Sequence, residues 1–285
     1  MAKLLSTTRY WAVDKVILSY YTFAAALVVG WWNHVPGAAG LLAWQILGAA
    51  LLVYEVKRPN RTSWVFRHWY PLPYVAACYR EMAILVPAIR RSDADRWLAD
   101  LDLRIWGAYP TVWLERIQWP AVVEFLQIAY TLFVPAVLLV AYLLWRKGLY
   151  DEFRYYAFLI AVGFLASYLG YLAVPARGPR VLLRSLQHIP LQGLWLFDAM
   201  QNGLDRLETA AYDCFPSGHT ELTILAWWSS RMVSNRLFRI YFAYTPLLIF
   251  GTVYLRYHYT VDVFAGAALA ALLIATAPAM FRKLS

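Results

Sequence analysis

The chain is dominated by apolar runs too long and too uniform for a soluble core. Segments at about 16–32, 37–55, 121–145, 153–174, 217–233, 239–255 and 259–280 match the roughly 17–25 residues that span about 30 Å of hydrocarbon as helix. Most are apolar all round rather than along one stripe, the pattern of a helix with no solvent-facing side. Only 15% of the residues are charged, against about 25% in a soluble domain. A helix satisfies its backbone groups within the span, as lipid requires. The expected fold is all-α, a polytopic membrane helical bundle. The 14 Trp and 21 Tyr suit aromatic belts at the two interfaces.

An eighth segment, 69–89, carries Arg80 and Glu81 in its middle. Between 90 and 120 charged and apolar residues alternate (Arg90, Arg91, Asp93, Asp95, Arg96, then Trp97, Leu98, Leu101), which predicts an amphipathic segment on the bilayer surface. Residues 1–120 therefore read as N-terminal spans plus this segment, and 121–285 as a second membrane unit. Lys57, Arg58, Arg61 and Arg67, then Arg146 and Lys147, then Arg231, Arg236 and Arg239, and finally Arg282 and Lys283 mark cytoplasmic ends. The loops at Pro175–Arg180, His219 and His258 then share the outer face. If 69–89 crosses, both termini are inside; if it does not, the N-terminus is outside. The formal charge of +9 is accounted for by these loops, so no nucleic-acid partner is expected. Cys78 and Cys214 form no framework or metal-ligand spacing, and Cys214 reads as a small buried thiol. No cleavable signal peptide is evident before the first run.

Three outer-face pieces carry chemistry. His258 and Asp262, four apart at the start of a span, fall on one helix face. The carboxylate can hold the proton of one imidazole nitrogen and leave the other as a nucleophile. Gly266 continues that face and leaves room for a neighbour. Pro216-Ser217-Gly218-His219 reads as a helix start. Ser217 caps it, Gly218 lets backbone approach an anion, and His219 stands placed to protonate a leaving oxygen. Arg177 and Arg180, in Pro175-Ala176-Arg177-Gly178-Pro179-Arg180, can clamp phosphate oxygens or anchor to lipid headgroups.

These residues resemble the type 2 phosphatidic acid phosphatase superfamily. Its second motif, Pro-Ser-Gly-His, stands complete at Pro216–His219. The His-x-x-x-Asp core of its third stands at His258–Asp262. The His-Tyr-x-x-Asp form looks like the branch of inositol phosphorylceramide and sphingomyelin synthases. The resemblance covers roughly residues 120–280. It implies a six-helix catalytic core and metal-independent phosphoryl transfer on a lipid phosphate, with no cofactor. His258 would be the nucleophile, Asp262 its orienting partner and His219 the general acid and base. Ser217, Gly218 and arginines would hold the phosphate. The pattern departs in two places. The phosphatase branch has a Lys seven residues before the first-motif Arg, where this chain has Ala173 or Gly170. Its third-motif Arg precedes the His by six, where Thr252 stands. Arg180 and Arg256 are therefore chosen by chemistry and position.

Water as acceptor makes a lipid phosphatase, and a lipid hydroxyl makes a phosphotransferase; the sequence leaves both open and favours hydrolysis narrowly. A transporter would place its polar residues near the bilayer midplane, whereas these gather at one face. A His–His–Asp zinc site is possible by ligand type but has no fourth ligand. A polar stripe, Glu124, Gln127 and Tyr130, either lines a headgroup pocket or bonds between helices. His34, His68 and His188 read as loop or interface residues, and Arg80 and Glu81 as a pair or bundle-facing. Short loops and the positive side fit a bacterial inner membrane with the site facing the periplasm.

Overall fold

The computed structural model describes residues 10–57, 61–207 and 210–285; Arg58, one of the orienting charges, lies outside them. Its principal helices are α1 (Ala12–Gly30), α2 (Ala38–Lys57), α3 (Arg61–Trp69), α4 (Pro71–Ile89), α5 (Asp95–Trp106), α6 (Pro110–Trp113), α7 (Pro120–Thr131), α8 (Phe133–Arg146), α9 (Tyr150–Ala173), α10 (Pro179–Leu182), α11 (Phe197–Leu207), α12 (Gly218–Ser230), α13 (Asn235–Tyr254) and α14 (Thr260–Leu284). No strand occurs among the described residues. Pro opens α4, α6, α7 and α10, where its missing N–H and fixed φ cost least.

Among the described residues six helices, α1, α2, α4, α9, α13 and α14, are long and apolar enough to cross a membrane. Segment 69–89 is among them as α4. Glu81 faces the bundle and accepts from Gln45 on α2 at 3.0 Å, while Arg80 is exposed and forms no pair with it. The run 121–145 is not one straight span. It breaks between α7 and α8 with a 41° bend, because Pro135 has no N–H for the Thr131 carbonyl one turn back. The run 217–233 is shorter than expected. Helix α12 has 13 residues, about 20 Å at 1.5 Å per residue. It packs against α8, α9, α13 and α14, so it is enclosed by protein rather than matched to the bilayer.

Helix α9 joins the halves, touching α1 and α4 on one side and α12 and α14 on the other. Lys15 Nζ donates to the Leu284 carbonyl at 2.5 Å, which puts the start of α1 and the end of α14 at one end of the bundle. At that end Asp14, fully buried, accepts from Arg67 at 2.7 Å and from the Tyr70 hydroxyl at 2.5 Å. His68, expected in a loop or at an interface, lies on helix α3, caged by Trp11, Trp64, Trp145 and Phe153.

At the other end α5 lies across the start of α14. Its inward face is Asp95, Leu98, Ala99 and Asp102, so two carboxylates, not only apolar side chains, turn towards the protein. Trp97, Ile105 and Trp106 are exposed on its outer side, as a bilayer-surface helix requires. Asp102 accepts from the Thr260 N–H at 2.9 Å, the Thr260 hydroxyl at 2.6 Å and the Val261 N–H at 3.0 Å. It caps α14 from another helix, satisfying N–H groups that have no intrahelical acceptor. Asp102→Ala removes that cap and is expected to cost about 1–2 kcal/mol, read as a lower melting temperature of the detergent-solubilised protein. A surface change of the same charge, Asp100→Ala, should leave the melting temperature nearly unmoved.

Candidate active site

The three chemistry-bearing segments meet at the α5 end through backbone contacts. The Ser217 N–H donates to the Asp262 carbonyl at 3.0 Å, joining the start of α12 to α14. A Cβ on Gly266 would stand 2.4 Å from the Ser217 carbonyl oxygen, so only glycine permits that approach. Gly178 has φ +94°, and a Cβ there would meet the Tyr257 carbonyl at 2.9 Å and Cys214 Sγ at 3.1 Å. Asp95 on α5 holds the same loop. Its Oδ2 accepts the Arg177 N–H at 2.8 Å, and its Oδ1 accepts the Gly178 N–H at 2.7 Å and the Tyr259 hydroxyl at 3.0 Å. Burial pushes the Asp95 carboxyl up, opposed by these donors.

The cavity so formed, about 310 Å³, is lined by Arg177, Arg180, His219, Arg256 and His258, together with Tyr130, Asp213, Cys214 and Tyr257. The imidazoles of His219 and His258 lie 5.7 Å apart between centroids. A column of rings fixes His219. The Arg180 guanidinium sits 4.1 Å over Tyr257, Tyr257 stacks on Tyr130 at 4.0 Å, and Tyr130 stacks on His219 at 4.4 Å. Phe133, just past the α7–α8 bend, closes the other side of His219 at 4.5 Å.

His258 lies two residues before α14, so its pairing with Asp262 is not a single helix face. The Tyr257 and His258 N–H groups instead fold back onto the Thr252 carbonyl at 2.8 and 3.0 Å. Thr252, where the resembled family has an arginine, thus contributes its backbone. His258 Nδ1 then stands 3.5 Å from Asp262 Oδ2. Asp262 reaches back to the Tyr259 N–H at 2.8 Å as the third residue of a capping box. Cys214 enters this group, donating to Asp262 Oδ2 at 2.9 Å with its sulfur 3.5 Å from His258 Nδ1. Burial, then the Asp262, Asp95 and Asp213 carboxylates, push its thiol well above the usual range.

Ser217 caps α12 with its hydroxyl, accepting from the Thr220 N–H at 3.3 Å. Pro216 precedes the cap rather than opening the helix. Ser217 and Gly218 are fully buried beside the cavity and are not among its lining residues. Each cavity arginine has an acidic partner: Arg177 with Asp93 at 3.0 Å, Arg180 with Asp205 of α11 at 3.4 Å, and Arg256 with Glu115 at 2.8 Å. Arg256 adopts φ 66°, and its Nη2 also reaches the Ile189 carbonyl at 2.5 Å. The stripe on α7 divides. Glu124 accepts the N–H groups of Leu194, Trp195, Leu196 and Phe197 at 2.8–3.3 Å and so anchors α11, while Tyr130 lines the cavity.

Sequence reasoning passed over Tyr257 and Asp213, and read Cys214, close to the site, as no more than a small buried thiol. Two of them adjoin a motif, Tyr257 before His258 and Cys214 two residues before Pro216, which is the signal that was available. Asp213 accepts from Tyr79 of α4 at 2.6 Å, a contact across 134 residues that no local pattern carries. The arrangement offers two imidazoles, a carboxylate behind one of them, and guanidinium groups around a shared space. Such a set suits nucleophilic attack and proton transfer at a phosphate.

A family model described as the PAP2 superfamily matches residues 96–276, from α5 through most of α14. No curated protein and no solved structure matches the chain.

Gly266→Ala should overpack the α12–α14 contact by about 1–3 kcal/mol, outweighing the roughly 1 kcal/mol by which Ala favours a helix interior. Gly40 in α2 has nothing within 4 Å of a Cβ, so Gly40→Ala should be neutral or stabilising in the same melting assay.

Proposed function

Since the chain belongs to the PAP2 superfamily, a family of phosphatases and phosphotransferases, we propose that it cleaves a lipid phosphate monoester or diphosphate through a phosphohistidine intermediate. The observation that carries this reading is the shared cavity of His219 and His258 with Asp262 behind Nδ1. In the proposed cycle His258 Nε2, the nitrogen turned away from Asp262, attacks phosphorus. The bond from phosphorus to the leaving oxygen breaks, and that oxygen takes a proton from His219. Water then attacks the phosphohistidine, gives its proton to His219, and the P–N bond breaks. Asp262 keeps the Nδ1 proton in place. Arg180 and Arg256 hold phosphate oxygens, with Arg177 at the rim. The Ser217–Gly218 turn sets the position of His219.

Membrane helices deliver a lipid substrate directly to such a site. The Lys and Arg clusters at the opposite ends of the same helices support a site on the periplasmic face of a bacterial inner membrane. A second reading, transfer of a phospho-headgroup to a lipid hydroxyl, is favoured by the His258-Tyr259 form of the third motif and by Ala173 where the phosphatase branch carries lysine. The chemistry to the phosphohistidine is the same in both.

Purified protein in mixed micelles with a panel of phosphorylated lipids is expected to release phosphate with EDTA present. His258→Ala should fall to background, and His219→Ala should lose about 10²–10⁴-fold. Phosphate release that survives His258→Ala sinks the proposed mechanism. In the same assay a new phospholipid formed only when ceramide or diacylglycerol is supplied would assign the transferase instead.

Arg180→Ala removes both a phosphate contact and the end of the ring column. It is expected to raise KM and lower kcat together, whereas Arg177→Ala, at an exposed rim position, should act mainly on KM.

A further inference from the structure

Cys214, His258 and Asp262 each present one ligand atom to a common point, and these atoms lie within 4.8 Å of one another with all three residues buried. We propose that Cys214, His258 and Asp262 bind a thiophilic divalent cation, with Zn²⁺ the best fit. Zinc bonds of about 2.3 Å to sulfur and 2.0–2.2 Å to nitrogen and oxygen, in tetrahedral geometry, set ligand–ligand edges of about 3.4–3.6 Å. The Sγ–Nδ1 and Nδ1–Oδ2 separations are both 3.5 Å. The Sγ–Oδ2 separation of 2.9 Å is a hydrogen bond that opens by about 0.6 Å when a metal replaces its proton.

Two further features favour a cation there. Asp262 Oδ1 is buried without a hydrogen-bond partner, so the carboxylate has lone pairs to spare while Oδ2 holds the Tyr259 N–H. The three cavity arginines are already paired with Asp93, Asp205 and Glu115, while Asp213 in the same cavity is bonded to a neutral hydroxyl. The field at the sulfur is therefore set by carboxylates. Cys214 and His258 line the cavity, which gives the ion an entry path and a solvent ligand for its fourth position. On binding, the S–H bond breaks, the S–metal bond forms and that proton leaves to water; the His258 proton passes through solvent from Nδ1 to Nε2 as the Nδ1–metal bond forms, and no electrons change hands.

Occupancy has a defined consequence for His258. A metal on Nδ1 takes that lone pair and leaves the neutral ring's proton on Nε2, the nitrogen that would attack phosphorus. The cation thus locks the tautomer with no nucleophile. This consequence rests on the phosphohistidine reading; the cation site itself does not.

The test uses metal-stripped protein in detergent, titrated with Co²⁺ alone and then with Zn²⁺. Expected are one equivalent of Co²⁺ per chain, a thiolate-to-cobalt charge-transfer absorption, and displacement of both by Zn²⁺. Cys78→Ser should keep the absorption; Cys214→Ser should lose it and weaken Zn²⁺ binding at least about tenfold. Zn²⁺ near stoichiometry should stop phosphate release, EDTA should restore it, and Cys214→Ser should need at least about tenfold more Zn²⁺. Wild-type protein without the thiolate absorption, or absorption lost in Cys78→Ser, overturns the site. Should Cys214→Ser fail to fold, absorption retained in Cys78→Ser still assigns the ligand, because the chain has 2 Cys. Cobalt binding through Cys214 in a protein that releases no phosphate from any lipid would uphold the cation site and remove the phosphatase reading. Phosphate release with no cobalt absorption would do the reverse.

Discussion

Backbone N–H groups in irregular segments need acceptors wherever water is excluded, and at the site end of this bundle buried carboxylates supply them. Asp95 takes the N–H groups of Arg177 and Gly178. Asp102 takes those at the start of α14. Glu124 takes four in succession before and at the start of α11. Charge-assisted bonds of this kind are the stronger ones, and losing one would leave a buried donor unmatched. The acids of α5 are therefore the frame on which the Arg177–Gly178 loop and the start of α14 are held, and Glu124 of α7 holds the start of α11, although none of them has a direct part in the proposed chemistry.

Within that frame two glycines set how closely the segments approach. Gly266 admits the Ser217 carbonyl, and Gly178 admits Cys214 and the Tyr257 carbonyl. The result places His219 and His258 across one cavity. The ring column from Arg180 through Tyr257 and Tyr130 transmits the position of the arginine loop to His219. A change in one motif is thus felt in the others through stacking and backbone contact.

The charge pattern is balanced rather than simply basic. Arg177, Arg180 and Arg256 each rest on a carboxylate, which keeps cationic groups in place before any anion arrives. Partnered, they hold a fixed geometry, which the proposed phosphate would meet already set. The same pairing leaves Asp262, Asp95 and Asp213 to dominate the field around Cys214. The two proposals thus assign one small cavity an anion at its arginine side and a cation at its thiol side.

Much was legible in the order of residues. Apolar runs gave the bundle because lipid allows no other use for them, and segment 69–89 emerged as a helix able to cross although Arg80 and Glu81 interrupt it. His219, His258 and Asp262 stood out because ionisable residues at span ends need a reason to be there. Other features escaped. The break at Thr131 follows from Pro135, and α12 falls short of a full span because neighbours enclose it. The inward aspartates of α5 were hidden in a charge-alternating stretch that shows its outer face more plainly. Sequence by itself determined which segments are apolar enough to build a helical bundle and which residue types stand at their ends, since both depend on local hydrophobicity and spacing. Tertiary structure alone decided that Tyr130 and Cys214 line the cavity and that Asp95 and Tyr79 bond the residues around it. Their partners lie tens to more than a hundred residues away, and only packing of separate helices sets those distances.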